Sequence, residues 1–160
     1  MSSVAVMLGR VAADTNPEMK QKVASFSASI CRELPTSAGV HMKTVVVGLT
    51  GNLTHQHSKV RKATLRGLKD VIVAKGAEGF LGDSIPQLKY SQNDRSQDVR
   101  ITFYEVLRHW MTNMELAGLR EQESHLIQFL LNGIADENQD VRASCLSFLE
   151  EHGARMRSAL

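Results

Sequence analysis

A chain of 160 residues with 42% hydrophobic and 22% charged residues is long enough for one domain with a sizeable core, and this balance excludes disorder of the whole chain. A net charge of +2, from 19 basic and 17 acidic residues, is too small to imply nucleic acid or an anionic membrane by itself, so any basic feature must be local. Two cysteines, Cys31 and Cys145, support neither a disulfide framework nor a thiolate metal site and fit a reducing intracellular compartment.

With 5% aromatic residues, three prolines and an abundance of Ala, Leu, Val, Lys, Arg, Glu and Gln, the chain favours helix over sheet. The opening stretch Met1 to Val11 is apolar in part but too short to span a membrane, and no basic stretch precedes it as in a signal peptide. Hydrophobic periodicity then predicts four helical hairpins: Val4 to Ala12 with Pro17 to Leu34, Lys43 to Leu53 with Ser58 to Ala74, Ser84 to Ser91 with Ser96 to Met114, and Glu123 to Ala135 with Gln139 to His152. Pro17 suits a first helical turn, Ser58 and Ser96 are expected as N-caps, and Gly76 and Gly153 as stop signals. Pro35 to Gly39, Gly76 to Gly82 and Ala117 to Gln122 read as turns between hairpins. Asn52-Leu53-Thr54 matches a glycosylation acceptor, a short pattern that nothing else supports.

The hairpins repeat. Met19-Lys20, Val60-Arg61, Val99-Arg100 and Val141-Arg142 recur at separations of 41, 39 and 42 residues. That spacing matches the period of roughly 40 to 47 of HEAT and armadillo units and exceeds the ankyrin and tetratricopeptide periods. Superposing the copies on these pairs aligns a leucine eleven residues earlier, Leu8, Leu49, Leu88 and Leu130, and Phe26, Gly67, Val106 and Phe148 seven residues later. The expected fold is an all-α solenoid of about four HEAT-type antiparallel hairpins, with approximate repeats 1–38, 39–79, 80–119 and 120–153 forming one array.

A polar column sharpens the assignment. Six residues before each base stand Asp14 before Lys20, His55 before Arg61, Asp94 before Arg100 and Asp136 before Arg142. This resembles the HEAT family, whose turn aspartate and second-helix arginine stack into a ladder along the solenoid; His55 departs from the pattern. Val4, Val6, Met7 and Leu8 would leave an open apolar face with no polar cap, which reads first as part of a longer array, with a truncated product or a chain completed by a partner as the alternatives.

Chemistry finds little foothold. His55 and His57 do not share a helix face and lack a third ligand of obvious spacing, so they read as turn histidines; His41, His109, His125 and His152 read as surface or edge positions. Gly76 to Gly82 is glycine-rich but follows no strand and lacks a Gly-Lys-Ser/Thr ending. No catalytic residues, metal ligands or cofactor are expected, and no small-molecule substrate, membrane or nucleic-acid partner. The one electrostatic feature is Lys59, Lys62, Arg66 and Lys69, a single basic stripe at helical spacing, which is either a solvated helix face or a site for an acidic protein partner.

His55-Gln56-His57-Ser58-Lys59-Val60-Arg61, Phe129 to Glu137, Asp140-Val141-Arg142 and Phe148 to Gly153 together resemble the cytoplasmic HEAT-repeat assembly factors for axonemal dyneins, most clearly from Thr54 to Gly153. The resemblance implies a non-enzymatic cytoplasmic factor that works with chaperones and dynein chains to assemble dynein arms before transport into cilia. A generic HEAT scaffold of the nuclear-transport, phosphatase-regulatory or microtubule-associated kind is the alternative, and an enzyme carrying a HEAT-like domain a more distant one.

Overall fold

The computed structural model describes residues 1–160 and contains eight α-helices, paired as four hairpins. They are α1 (Ser2–Ala12) with α2 (Pro17–Glu33), α3 (Lys43–Gly51) with α4 (Ser58–Ile72), α5 (Leu81–Gln92) with α6 (Gln97–Asn113), and α7 (Leu116–Gly133) with α8 (Gln139–Ser158). First helices stack as one layer, α1 on α3 on α5 on α7, and second helices as another, α2 on α4 on α6 on α8. The chain is an all-α solenoid, with single 3-10 turns at Gly39–His41, Asn52–Thr54 and Glu78–Phe80 easing the connections.

The core runs unbroken between the two layers. Leu8, Leu49, Leu88 and Leu130 are all buried, and Trp110, the largest fully buried side chain, donates its indole N–H to the Leu68 carbonyl at 3.3 Å. Satisfying that donor lets an indole lie in an otherwise apolar seam. Phe103 meets Tyr104 and Phe129 edge-on, with ring centroids 5.0 and 5.3 Å away, where the third hairpin joins the fourth.

One column breaks rank. Gly67, Val106 and Phe148 are buried, yet the equivalent Phe26 is 55% exposed, and Met19 is 41% exposed where Val60, Val99 and Val141 are buried. The cause is the stacking direction: this column of α4, α6 and α8 packs against the preceding second helix, and α2 has none before it in this chain. The apolar edge at the first helix is narrower than the sequence suggests, because Val6 and Met7 are exposed while Leu8 is buried and Val4 partly so.

Several boundaries differ from the periodicity. Helix α7 begins at Leu116, so Ala117 to Gln122 is helix rather than turn: Leu119 is buried and Gly118 sits against the Glu78 side chain, giving that first turn tertiary support. Gly153 does not stop α8, which continues to Ser158 through Ala154, Arg155 and Met156, all good helix formers. Helix α5 starts at fully buried Leu81, ahead of Ser84, and carries Pro86 inside its second turn. Pro17 occupies the first position of α2, and Gly76 alone has positive φ, +88°, in the turn after α4 where Val40 crowds any Cβ.

The expected serine caps are not used. Ser58 is the first residue of α4 and its cap position is His57, which makes no side-chain cap bond; Ser96 holds the cap position of α6 but its hydroxyl makes none either. Asparagines cap instead: Asn16 accepts from the Glu18 and Met19 N–H groups and Asn138 from those of Asp140 and Val141.

Candidate partner-binding face and the turn ladder

The intra-hairpin turns are built on one local device. Asp14, Asp94 and Asp136 each accept the backbone N–H two residues on, from Asn16, Ser96 and Asn138, all at 2.8 Å. An acceptor side chain that closes on its own backbone reverses the chain in few residues. At the equivalent place His55 uses Nδ1 to accept the His57 N–H at 3.1 Å. The histidine that breaks the sequence pattern thus performs the aspartate's local task.

What it does not supply is the aspartate's charge. Arg61 donates through Nε and Nη2 to both oxygens of Asp94 at 2.6 and 2.8 Å, and its Nη1 donates to the carbonyls of His55 and Gln56 at 2.7 and 3.1 Å. Arg100 repeats the arrangement, reaching Asp136 at 2.9 and 3.3 Å and the Asp94 carbonyl at 2.9 Å. Each base therefore ties its own turn to the next hairpin's turn. Its planar fork makes the bidentate contact and the carbonyl contact together, which an ammonium cannot do.

Lys20 does not pair with His55. Its Nζ donates to the Ala12 carbonyl at 3.0 Å and to Oδ1 of Asn52 at 2.7 Å, and Asn52 Nδ2 donates back to Ala12 at 2.9 Å. Asn52 is only 5% exposed, with both ends of its amide engaged, so the glycosylation pattern there marks a buried structural amide. Sequence comparison by columns misses it because Asn52 stands three residues ahead of the expected position. At the ends of the series, Asp14 has no basic partner within 4.0 Å, and Arg142 donates only to the carbonyls of Asp136 and Glu137.

His152, expected at the surface or an edge, is instead 4% exposed, with Nε2 2.9 Å from Glu123 of α7 and its ring beside Phe148. His55 and His57 lie 5.3 Å apart between ring centroids, and no third histidine, cysteine or carboxylate joins them in a cluster. Burial pushes the thiols of Cys31 and Cys145 up to about 11, so both stay protonated and unreactive among apolar neighbours.

The basic stripe lies on the outer side of the second-helix layer. Lys59, Lys62, Arg66 and Lys69 line a groove of about 740 Å³ bounded by α2, α4 and α6. Its buried lining is Ala28 and Gly67 on the α2–α4 side with Thr102 and Val106 from α6, Ala63 lies beside them, and its rim carries five bases, with Arg32, against two acids, Asp70 and Glu105. Arg32 pairs with Asp70, and Lys62 stands 4.0 Å from Asp98, whereas Lys59, Arg66 and Lys69 have no carboxylate within 4.0 Å. His109 at the groove's edge is held below the usual imidazole range, chiefly by burial and then by Lys69, with Asp70 opposing.

Two layers of antiparallel hairpins repeating at about 40 residues, joined by an acid–base turn ladder, define a HEAT-type helical-repeat solenoid. Its fold matches a crystal structure of an engineered protein with a TM-score of 0.72 over 93% of this chain and 62% of the other, at 16% identity. Residues 1–158 match the family model for dynein axonemal assembly factor 5-like TPR repeats, and the chain belongs to that family. The family's description speaks of TPR repeats, although the spacing here is that of HEAT units. Dynein axonemal assembly factor 5 of Xenopus laevis is 24% identical over 146 residues, covering 91% of this chain; the chain spans 17% of that relative's length. No helix is long and apolar enough to cross a membrane.

Proposed function

We propose that this chain is a non-enzymatic scaffold that acts in the cytoplasm in the preassembly of axonemal dynein arms, holding dynein chains and chaperones through its second-helix face. The observation that carries the reading is the family match over residues 1–158. The named role of the Xenopus relative agrees with it. Physical support comes from the groove, where Lys59, Arg66 and Lys69 remain without carboxylate partners on a rigid helix. Solenoids bind extended partners on such faces, and unpaired cations there favour an acidic protein surface.

The test is affinity purification of the chain from ciliated cells, beside a variant with Lys62→Glu and Arg66→Glu. Dynein heavy or intermediate chains together with chaperones should co-purify with the wild type and fall at least about tenfold with the variant, whose fold should be unaffected because these side chains reach solvent. Recovery of importin cargo, a phosphatase catalytic subunit or tubulin in their place would move the chain to another class of HEAT scaffold.

A further inference from the structure

We infer that the furrow between α2 and α4 is a docking groove for an acidic α-helical segment of a partner protein, with carboxylates three and four residues apart. This rests on the reading of the chain as a protein-binding scaffold and adds the partner's chemistry and position.

Lys59, Lys62, Arg66 and Lys69 are separated by three, four and three residues, so they form one straight row along α4 about 15 Å long at 1.5 Å rise per residue. A second helix laid alongside α4 presents side chains in the same alternation of three and four. An extended strand repeats one face every ~6.6 Å and matches only some of these steps.

The two walls beside the basic row differ in charge. Toward α6 the basic row meets Asp98, Glu105 and His109, and Lys62 already stands within 4.0 Å of Asp98. Toward α2 it meets Gln21, Ser25 and Ala28, none of them charged, before reaching Arg32 at the far end. An anionic segment is repelled on the α6 side by Asp98 and Glu105, whereas on the α2 side the acid that lines the groove, Asp70, is already neutralised by its pair with Arg32.

Helices α2 and α4 are in backbone contact at Gly67, where an added Cβ would stand 2.9 Å from the Ala24 carbonyl oxygen, and the neighbouring Ala28 and Ala63 are also small. Small residues let a guest helix come close enough for its carboxylates to reach the lysines. Nucleic acid fits less well: no Phe, Tyr or Trp side chain lines the groove for base stacking.

The experiment uses the full chain and an alanine-based helical peptide with four glutamates at separations of three, four and three, carrying a quencher. Its isomer with the glutamates clustered on consecutive residues is the comparison. Fluorophores are placed at Ser25→Cys on the α2 side or Glu105→Cys on the α6 side, the native cysteines being buried. Removing Glu105 favours the α6 side and so biases against the proposal.

At low salt the spaced peptide should bind at least about tenfold tighter than its isomer, lose at least about tenfold with Lys62→Glu and Arg66→Glu, and quench the label at position 25 more than that at 105. Equal binding of the two isomers, stronger quenching at 105, or displacement of the peptide by a single-stranded oligonucleotide at lower concentration than by free peptide overturns it. If dynein chains co-purify with the wild type and are lost with the charge-reversed variant while the peptide arm fails, the scaffold reading stands and the acidic-helix assignment falls. Peptide binding as described without dynein co-purification has the opposite meaning.

Discussion

The two carboxylates Asp14 and Asp94 separate the two jobs of the ladder. Both close their own turns on a backbone N–H, but only Asp94 also receives a bidentate arginine, with both partners of that pair nearly buried. Replacing one member of a buried ion pair strands the other, at about 3–5 kcal/mol. Asp94→Ala should therefore lower the urea unfolding free energy by that order, whereas exposed Asp14→Ala should cost under about 1 kcal/mol, the worth of a local turn bond. Equal effects would mean that the arginine contacts add nothing to the turns.

His55 makes a pH-dependent statement at the same position. Burial, followed by the charges of His57, Lys20 and Arg61, holds its pKa below 6.5 in the folded chain. The unfolded chain thus takes up a proton before the folded one does. Stability from this group is complete above about pH 6.5 and is lost as pH falls through the depressed folded value. His109 shifts in the same direction, so some slope should remain when His55 is removed. Unfolding of His55→Asn, followed from pH 7.5 to about 5, should show a flatter decline than the wild type; superimposable profiles would assign the whole decline to other groups.

Among elements, the four second helices follow one pattern and fail it in instructive places. Gly67 is where α4 rests on the backbone of α2, with Ala24 oxygen and Cβ at 2.9 and 3.0 Å from an added Cβ. No rotamer can relieve a contact with backbone, so Gly67→Ala must push the helices apart, at about 1–3 kcal/mol. Gly153 is the opposite case: it sits in mid-helix with nothing nearer to an added Cβ than Arg157 Nη1 at 3.8 Å. Gly153→Ala should stabilise by roughly 0.5–1 kcal/mol. Thermal unfolding should move in opposite directions for the two, by about 2–4 °C per kcal/mol in a chain of this length.

The same elements show what periodicity could and could not reveal. The leucine column, the base–acid offset and the basic stripe were legible because each is a fixed residue type at a fixed spacing. Helix ends were less so, because the turn reading of Ala117 to Gln122 and the stop signal at Gly153 are overridden by buried Leu119 and by the helix formers after Gly153. Asn52 was hidden for another reason. Its role depends on which hairpin lies beside which carbonyl, a contact made across 40 residues to Ala12 and invisible to local pattern. The furrow's uneven walls likewise come from α2 and α6, whose contributions appear only once α4 is placed between them.

At the scale of the whole molecule, a solenoid has no shared centre, so each hairpin is held only by its neighbours and stability is expected to vary along the array. Helix α4 lies between α2 and α6 and buries eight of its fifteen residues. Helix α8 is longer, at 20 residues, yet buries only four: Val141, Cys145, Phe148 and His152. Its attachment includes Phe148, whose ring meets the guanidinium groups of Arg108 at 5.3 Å and Arg155 at 5.5 Å, and the His152–Glu123 contact. Arg108 belongs to α6 and Arg155 to α8 itself, so only one of these cations ties the last hairpin to the third. Local opening should therefore begin at the last hairpin and proceed toward α4. Native-state hydrogen exchange should find amides of α8 beyond His152 exchanging fastest among the second helices and those of Leu65 to Ile72 slowest. Phe148→Ala should widen the gap, since it removes the buried ring on which both cations rest and would cost about 3–5 kcal/mol. Uniform protection across α4 and α8 would mean that the array opens as one cooperative unit, and that the fourth hairpin is bound to the rest by more than the few side chains that bridge it.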